Sequence, residues 1–171
     1  AKAVAKHIEN GAAGVVMAHG TDTLGYTAAA LSFALQDLPV PVIMVASQRS
    51  ADRPSSDAAT NLIGAVNAAA YAPFAEVAVA IHETTSDKGI VFHRGTKTRK
   101  CHTSRRDTFK SINTTPLAKT VNGKITMLTK DYRKRDHSRK LNLKPNFDER
   151  AALIKFYPGL NPEVIDWHID K

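Results

Sequence analysis

Apolar residues in the first half of the chain form short continuous runs that alternate with helical patterns. The apolar runs, typical of buried strands, are residues 14–18, 42–46 and 76–81. Residues at helical spacing between the runs are Leu24, Ala28, Leu31 and Leu35, and then Leu62, Val66 and Ala69. Because strands that alternate with helices are joined by right-handed crossovers, the pattern predicts an α/β fold. We expect an open, mainly parallel sheet with helices on both faces.

From residue 83 the pattern changes to short strands and turns. Residues 90–92 and 98–103 are predicted to pair as a twisted hairpin, with a turn at 86–89. The Asn122-Gly123 pair predicts a second hairpin, because these residues accept the positive φ of a type I′ turn.

Composition shifts again near residue 129 and indicate a domain boundary. We predict one domain over residues 1–128 and a basic linker over 129–149. The strand-like stretch near residue 154 then begins a smaller, second α/β domain over 150–171. The chain opens inside a helical pattern, so we expect an internal piece of a longer polypeptide. In such a piece the strand at 14–18 would have an unpaired edge.

Positive charge is concentrated in the second half of the chain. Residues 1–83 carry 4 basic and 7 acidic residues, whereas residues 84–171 carry 20 and 9. The densest patch, residues 130–140, is interpreted as a polyanion contact, a solvated face or a mobile linker. We find no apolar run near the roughly 20 residues that span a bilayer and no secretory leader. We therefore expect a soluble, cytoplasmic protein with no membrane partner.

The sequence has no motif for a metal or a nucleotide. Cys101 is the only cysteine; its neighbours favour a side chain turned into the core over a nucleophile. The histidines lack ligand spacing, and neither GxGxxG nor GxxxxGK[ST] occurs. We expect no cofactor in this chain.

The run His19-Gly20-Thr21-Asp22-Thr23 is the strongest candidate site, because it follows a predicted parallel strand and precedes a helix. One interpretation is structural, with Asp22 or Thr23 capping the helix. The other is chemical: the Thr21 hydroxyl needs a base, and Lys97 or Lys100 is a candidate. The polar loop 48–57 is predicted either to line the same pocket or to form an ordinary capped turn, with Ser56 or Asp57 as the helix cap.

Three segments together resemble the asparaginase/glutaminase-type amidohydrolases. They are HGTDT, QRSADRPSSDAATNL and RGTKTRKCHTSRRDTFKSIN, in order and spacing between about residues 11 and 125. Within that superfamily, the second and third segments are most similar to the D subunits of archaeal tRNA-dependent amidotransferases.

The resemblance implies a glutaminase half-reaction in which one threonine attacks the glutamine side-chain amide and a Thr-Asp-Lys set assists proton transfer. By motif position, that set is Thr21, Asp22 and Lys100; the lysine lies eleven residues before Ser111, which selects Lys100 over Lys97. The first threonine belongs to a Thr-Gly-Gly-Thr-like motif that does not occur in these 171 residues. We therefore expect the fragment alone to be inactive.

The resemblance also implies partners. Glutamine is the expected substrate, and an E subunit would use ATP, with Mg²⁺, to amidate Glu-tRNA(Gln) in a dimer of heterodimers. The alternatives are a stand-alone type I L-asparaginase with the same three residues and a non-catalytic α/β binding domain. Joint retention of Thr21, Asp22 and Lys100 argues against the binding domain.

Overall fold

The fold is described from a computed structural model, which describes residues 1–170. Its elements in chain order are α1 (Lys2–Glu9), β1 (Val15–Ala18), α2 (Leu24–Ala34), β2 (Leu35–Gln36), β3 (Val42–Val45), α3 (Ala58–Tyr71), β4 (Val77–His82), β5 (Ile90–Arg94), β6 (Thr98–Lys100), β7 (Phe109–Ser111), β8 (Ala118–Val121), β9 (Lys124–Met127), β10 (Asn142–Leu143) and α4 (Glu163–Ile169).

A six-stranded sheet in the order β1-β3-β4-β5-β8-β9 forms the centre of the molecule. β1, β3 and β4 run parallel, and β5, β8 and β9 continue the sheet in antiparallel pairs. Apolar residues of α1 and α2 pack on one face, and those of α3 pack on the other. The predicted α/β architecture with helices on both faces is confirmed. β3 and β4 are buried throughout, whereas β1, at the sheet edge, is only partly covered.

Two details of the predicted second half differ from the structure. The turn at 86–89 joins β4 to β5, and β6 pairs with β7 rather than with residues 90–92, so that predicted hairpin is wrong. The reason is that β5 is saturated on both edges by β4 and β8. The Asn122-Gly123 hairpin is confirmed, with φ of 49° and 76° at the two residues.

The buried face of α3 does not follow the helical spacing of Leu62, Val66 and Ala69, of which only Ala69 is buried. Leu62 and Val66 are 47% and 52% exposed, and the face that covers the sheet is built from smaller residues, among them Ala65 and Ala68. α3 contains no charged residue, so hydrophobicity alone does not distinguish its two faces.

The basic segment 129–149 lies against the domain through specific contacts. The Arg135 guanidinium donates hydrogen bonds to the carbonyls of Ala13, Ala69 and Ala70. Arg133 pairs with Asp37, and β10 pairs with β2. Several charges of the basic patch are therefore used in intramolecular packing. Residues 151–157 form neither helix nor strand in the described part of the chain, and α4 buries none of its residues. The predicted domain limits stay a prediction.

Candidate active site

Thr21, Asp22 and Lys100 meet at the carboxyl end of the parallel strands. Thr21 and Asp22 lie in the loop between β1 and α2, and Lys100 is the last residue of β6. Close packing of α2 on β6 brings them together: a methyl group at Gly25 would lie 2.9 Å from the Thr98 carbonyl oxygen. Only glycine permits this approach without a shift of the backbone.

The Lys100 ammonium donates hydrogen bonds to both partners. Its Nζ lies 2.8 Å from Thr21 Oγ1 and 2.7 Å from Asp22 Oδ1. The hydrogen bond and positive charge of Lys100 lower the pKa of the Asp22 carboxyl, which is therefore ionised at neutral pH. The distance to Thr21 lies within the roughly 2.6–3.2 Å over which a base can exchange a proton with a hydroxyl. The catalytic role of Lys100 stays a prediction.

The capping interpretation of this loop is not supported. α2 begins at Leu24 with Thr23 as its N-cap residue, yet Thr23 makes no side-chain capping hydrogen bond. The Asp22 carboxylate accepts instead from Lys100, 78 residues along the chain.

A cavity of about 840 Å³ opens beside this cluster. Its lining includes Asp22, Tyr26, Lys97, Arg99 and Lys100. Lys97 is exposed at this cavity, and its side chain makes no hydrogen bond or ion pair with any residue in 1–170. The distinction between the two lysines, taken from the resemblance, therefore agrees with their contacts.

The polar loop 48–57 contributes no described residue to this cavity, but it contacts the loop that follows Lys100. Gln48 Nε2 donates to the carbonyl oxygens of Thr103 and Arg105 at 3.3 and 2.8 Å. Asp57 is the N-cap residue of α3 without a side-chain cap hydrogen bond, and its carboxylate accepts from the backbone N–H groups of Gln48 and Arg49. Ser56 Oγ accepts from the N–H of Ala58. The loop therefore contacts the segment that follows Lys100 and does not line the cavity itself.

Cys101 is exposed, so the expectation that it faces the core is wrong. Cys101 lies on the same side of the alternation as the exposed Arg99, whereas the partly buried Lys100 is on the other side. Among residues 1–170, no cluster of three or more His, Cys, Asp or Glu side chains has the arrangement of a metal site. None of the helices in that range is both long and apolar enough to cross a membrane.

Sequence reasoning missed the buried residues Asn61 and His82, which lie behind this edge of the sheet. The absence of metal-ligand spacing does not reveal the environment of His82, whose two ring nitrogens both have hydrogen-bond partners. A histidine that ends a fully apolar strand, together with an asparagine inside an apolar helix, was the available signal.

Comparison with known proteins defines the class. The family model for the N-terminal domain of asparaginase matches residues 1–133, so the chain belongs to the asparaginase family. The solved L-asparaginase of Thermococcus kodakarensis has the same fold, with a TM-score of 0.84 and 29% identity over 99% of this chain and 48% of its own.

The more similar curated relatives are glutamyl-tRNA(Gln) amidotransferase D subunits. The protein of Pyrococcus horikoshii is 55% identical over 169 residues, and that of Pyrococcus abyssi is 54% identical over the same length. Each alignment covers 98% of this chain, which spans 38% of the length of either relative.

Proposed function

We propose that this chain is part of the glutaminase subunit of a tRNA-dependent amidotransferase. The observation that carries the proposal is the Lys100 amine within hydrogen-bond distance of both the Thr21 hydroxyl and the Asp22 carboxylate. The sequence identity of 54–55% to amidotransferase D subunits also supports the proposal.

Thr21, Asp22 and Lys100 would transfer protons during hydrolysis of the glutamine side-chain amide. A threonine from outside these 171 residues attacks the amide carbon, and a carbon–oxygen bond forms as its hydroxyl proton passes to Thr21 Oγ1 while the Thr21 proton passes to a neutral Lys100 amine. As the carbon–nitrogen bond breaks, Lys100 and the Thr21 hydroxyl relay a proton to the leaving nitrogen, which departs as ammonia. Water then cleaves the ester to give glutamate and restore the threonine. Asp22 stabilises the protonated form of Lys100 between these steps.

The ammonia would be consumed by a partner E subunit, which amidates Glu-tRNA(Gln) to Gln-tRNA(Gln). By the family resemblance, that subunit would also bind ATP and Mg²⁺. The proposed assembly is a dimer of heterodimers in the cytoplasm.

A stand-alone L-asparaginase is the second candidate, favoured by the TM-score of 0.84 with a solved L-asparaginase. The identity to that enzyme is 29%, against 55% to an amidotransferase D subunit, so we prefer the amidotransferase.

The test is formation of Gln-tRNA by the full-length protein with its E subunit, supplied with glutamine or with ammonium chloride. Thr21→Ala is expected to lower the glutamine-dependent rate by about 10²–10⁴-fold and to leave the ammonium-dependent rate unchanged. Loss of both rates would overturn the division of labour. A full-length protein that hydrolyses asparagine efficiently and binds no E subunit would favour the second candidate.

A further inference from the structure

His82 is a fully buried histidine whose two ring nitrogens both face hydrogen-bond acceptors. It ends β4 at the same edge of the sheet as the candidate active site. Nδ1 lies 2.6 Å from Asn61 Oδ1, and Nε2 lies 3.2 Å from Asp87 Oδ1. The protonation state of the ring therefore depends on what Asn61 and Asp87 present to it.

The orientation of the Asn61 amide follows from its other contacts. Its Nδ2 donates to the Ala46 carbonyl oxygen and to Asp57 Oδ2, each at 2.9 Å. A flipped amide would turn Oδ1 toward these two acceptors and lose both hydrogen bonds. Oδ1 must therefore face His82, and His82 Nδ1 must carry a hydrogen.

Asp87 presents an ionised carboxylate to the other nitrogen. Arg106 NH1 donates to the same Oδ1 at 2.5 Å. The Asp87 side chain is 68% exposed and paired with the Arg106 guanidinium, so its carboxyl is ionised at neutral pH independently of His82. A carboxylate only accepts hydrogen bonds, so His82 Nε2 also carries a hydrogen.

We propose that His82 is an imidazolium that positions the loops around the active site. We call Asp57, Asn61, His82, Asp87 and Arg106 the loop latch. It begins at the N-terminus of α3, passes through the end of β4 to the 83–89 turn, and ends in the loop that follows Lys100. Arg106 closes it by donating to the carbonyl oxygen of Ser55, on the polar loop that precedes α3.

The latch connects to Lys100 through the loop of residues 101–108. The N–H of Cys101 donates to the Thr108 carbonyl oxygen at 2.9 Å, so the ends of this loop are fixed to each other. Arg106 and the Gln48 side chain fix its middle to the loop 47–57. In this arrangement His82 is a positioning residue for Lys100, and this part of the inference rests on the proposed amide hydrolysis.

Loss of a proton from His82 would break the latch at one point. A bare ring nitrogen would then face either the Asn61 carbonyl oxygen or the Asp87 carboxylate, and two acceptors repel. The charged groups that face the ring are Asp87 directly, Arg106 beyond it, and Asp57 beyond Asn61. We therefore expect the contacts between the two loops to weaken when either ring nitrogen of His82 lacks its hydrogen.

The direct test is ¹⁵N NMR of the full-length protein labelled selectively at histidine, with the His82 signals assigned by their loss in His82→Gln. At neutral pH, the expected result is a hydrogen on both nitrogens of His82. His93 is the internal control, because burial lowers the pKa of its imidazole to about 4 and keeps it neutral. A bare nitrogen on His82 at neutral pH would overturn the proposal.

The second test uses Asp87→Asn, because the Asp87 side chain is 68% exposed and its replacement does not threaten folding. Deuterium uptake is expected to rise in peptides from both 47–57 and 101–108, and His82 is expected to become neutral. Asp52→Asn, on an exposed side chain of the loop 47–57 that lies outside the latch, is the control and should leave both the deuterium uptake and His82 unchanged. Unchanged uptake in Asp87→Asn would contradict the latch.

Kinetics separate the latch from the proposed function. A displaced Lys100 should lower kcat for glutamine hydrolysis by about tenfold or more, with a smaller change in KM, because a misplacement near 1 Å costs about 10²-fold. Asp87→Glu, which restores the negative charge, should recover part of the loss. A doubly protonated His82 in a protein that does not hydrolyse glutamine would refute the function and leave the latch standing. Glutamine hydrolysis with a neutral His82 would do the reverse.

Discussion

Two clusters at the same edge of the sheet each pair carboxylates with a basic side chain, and they differ in how completely they are closed. In the first, Lys100 contacts Asp22, whose side chain is 92% exposed, beside an open cavity. In the second, Asp57, Asn61 and His82 are fully buried, and Asn61 is hydrogen-bonded to both of the others. The exposed groups of an open cluster can exchange protons with a substrate that binds in the cavity. A closed network instead fixes the positions of the elements that it joins.

Removal of the Thr21 hydroxyl is expected to give the largest effect, because it interrupts the open cluster where chemistry is proposed. Thr21→Ala in the full-length protein should slow ammonia release from glutamine by about 10²–10⁴-fold. Thr23→Ala is the matched control, since Thr23 makes no capping hydrogen bond and should leave the rate unchanged. Equal losses in the two variants would mean that the loop, rather than the Thr21 hydroxyl, is what matters.

His93 is a buried histidine with a hydrogen-bond partner at only one of its two ring nitrogens. Its Nδ1 lies 2.8 Å from Ser111 Oγ, while its Nε2 has no partner among the described residues. Burial, with the nearby charge of Lys110, lowers its pKa from 6.5 to about 4. His93 in the unfolded chain therefore becomes protonated below about pH 6.5, whereas His93 in the folded chain becomes protonated only near pH 4.

This difference should destabilise the fold as pH falls from 6.5 to 4, by about 3 kcal/mol. Urea unfolding of the full-length protein across this range should show the loss, and His93→Gln should remove that part of the pH dependence. Identical pH profiles for wild type and His93→Gln would contradict the assignment of His93 as a neutral buried group.

The closed network predicts a smaller loss of stability. Asp57→Asn keeps the shape of the side chain but replaces one accepting oxygen with an NH₂ group. That group would face one of the donors that the carboxylate binds, which are the N–H groups of Gln48 and Arg49 and the Asn61 amide. We expect the free energy of unfolding to fall by about 1–3 kcal/mol, measured by urea denaturation. Asp52→Asn, on an exposed aspartate of the same loop, should be neutral. A neutral Asp57→Asn would show that the network is not closed in solution.

The smallest effect on stability is expected from the exposed ion pair of Asp22 and Lys100 in the open cluster. The Asp22 pKa is lowered by Lys100, so its pairing stabilises the fold at neutral pH and is lost as pH falls through the folded pKa. Because solvent screens this exposed carboxylate, that contribution is small, and Asp22→Asn should leave the unfolding midpoint nearly unchanged while lowering activity. A clear loss of stability would assign Asp22 a structural role.

The sequence predicted most of the sheet and little of the support around the site. The strands at 42–46 and 77–81 are apolar runs buried on both faces, and the run at 14–18 has the same pattern although β1 is only partly covered. The pairing of β6 with β7 was not predictable in the same way, because each has three residues and their partners are set by tertiary packing.

The candidate site shows the same division. The place of Thr21 follows from the strand-to-helix transition, whereas spacing alone left Lys97 and Lys100 equivalent; the family resemblance selected Lys100. The latch could not be predicted from the sequence, because its hydrogen bonds join residues on different elements. Asn61 and His82, for example, are separated by 21 positions. No local pattern records such a contact.

The central claim is that Lys100 transfers protons at Thr21, and chemical rescue tests it most directly. We would measure glutamate release from glutamine by full-length Lys100→Ala, with and without added ethylamine, against Lys97→Ala. The account predicts a loss of about 10²-fold or more in Lys100→Ala that ethylamine partly restores. It also predicts a near-normal, amine-independent rate in Lys97→Ala. A Lys100→Ala protein as active as wild type, or the same loss in both variants, would contradict the account.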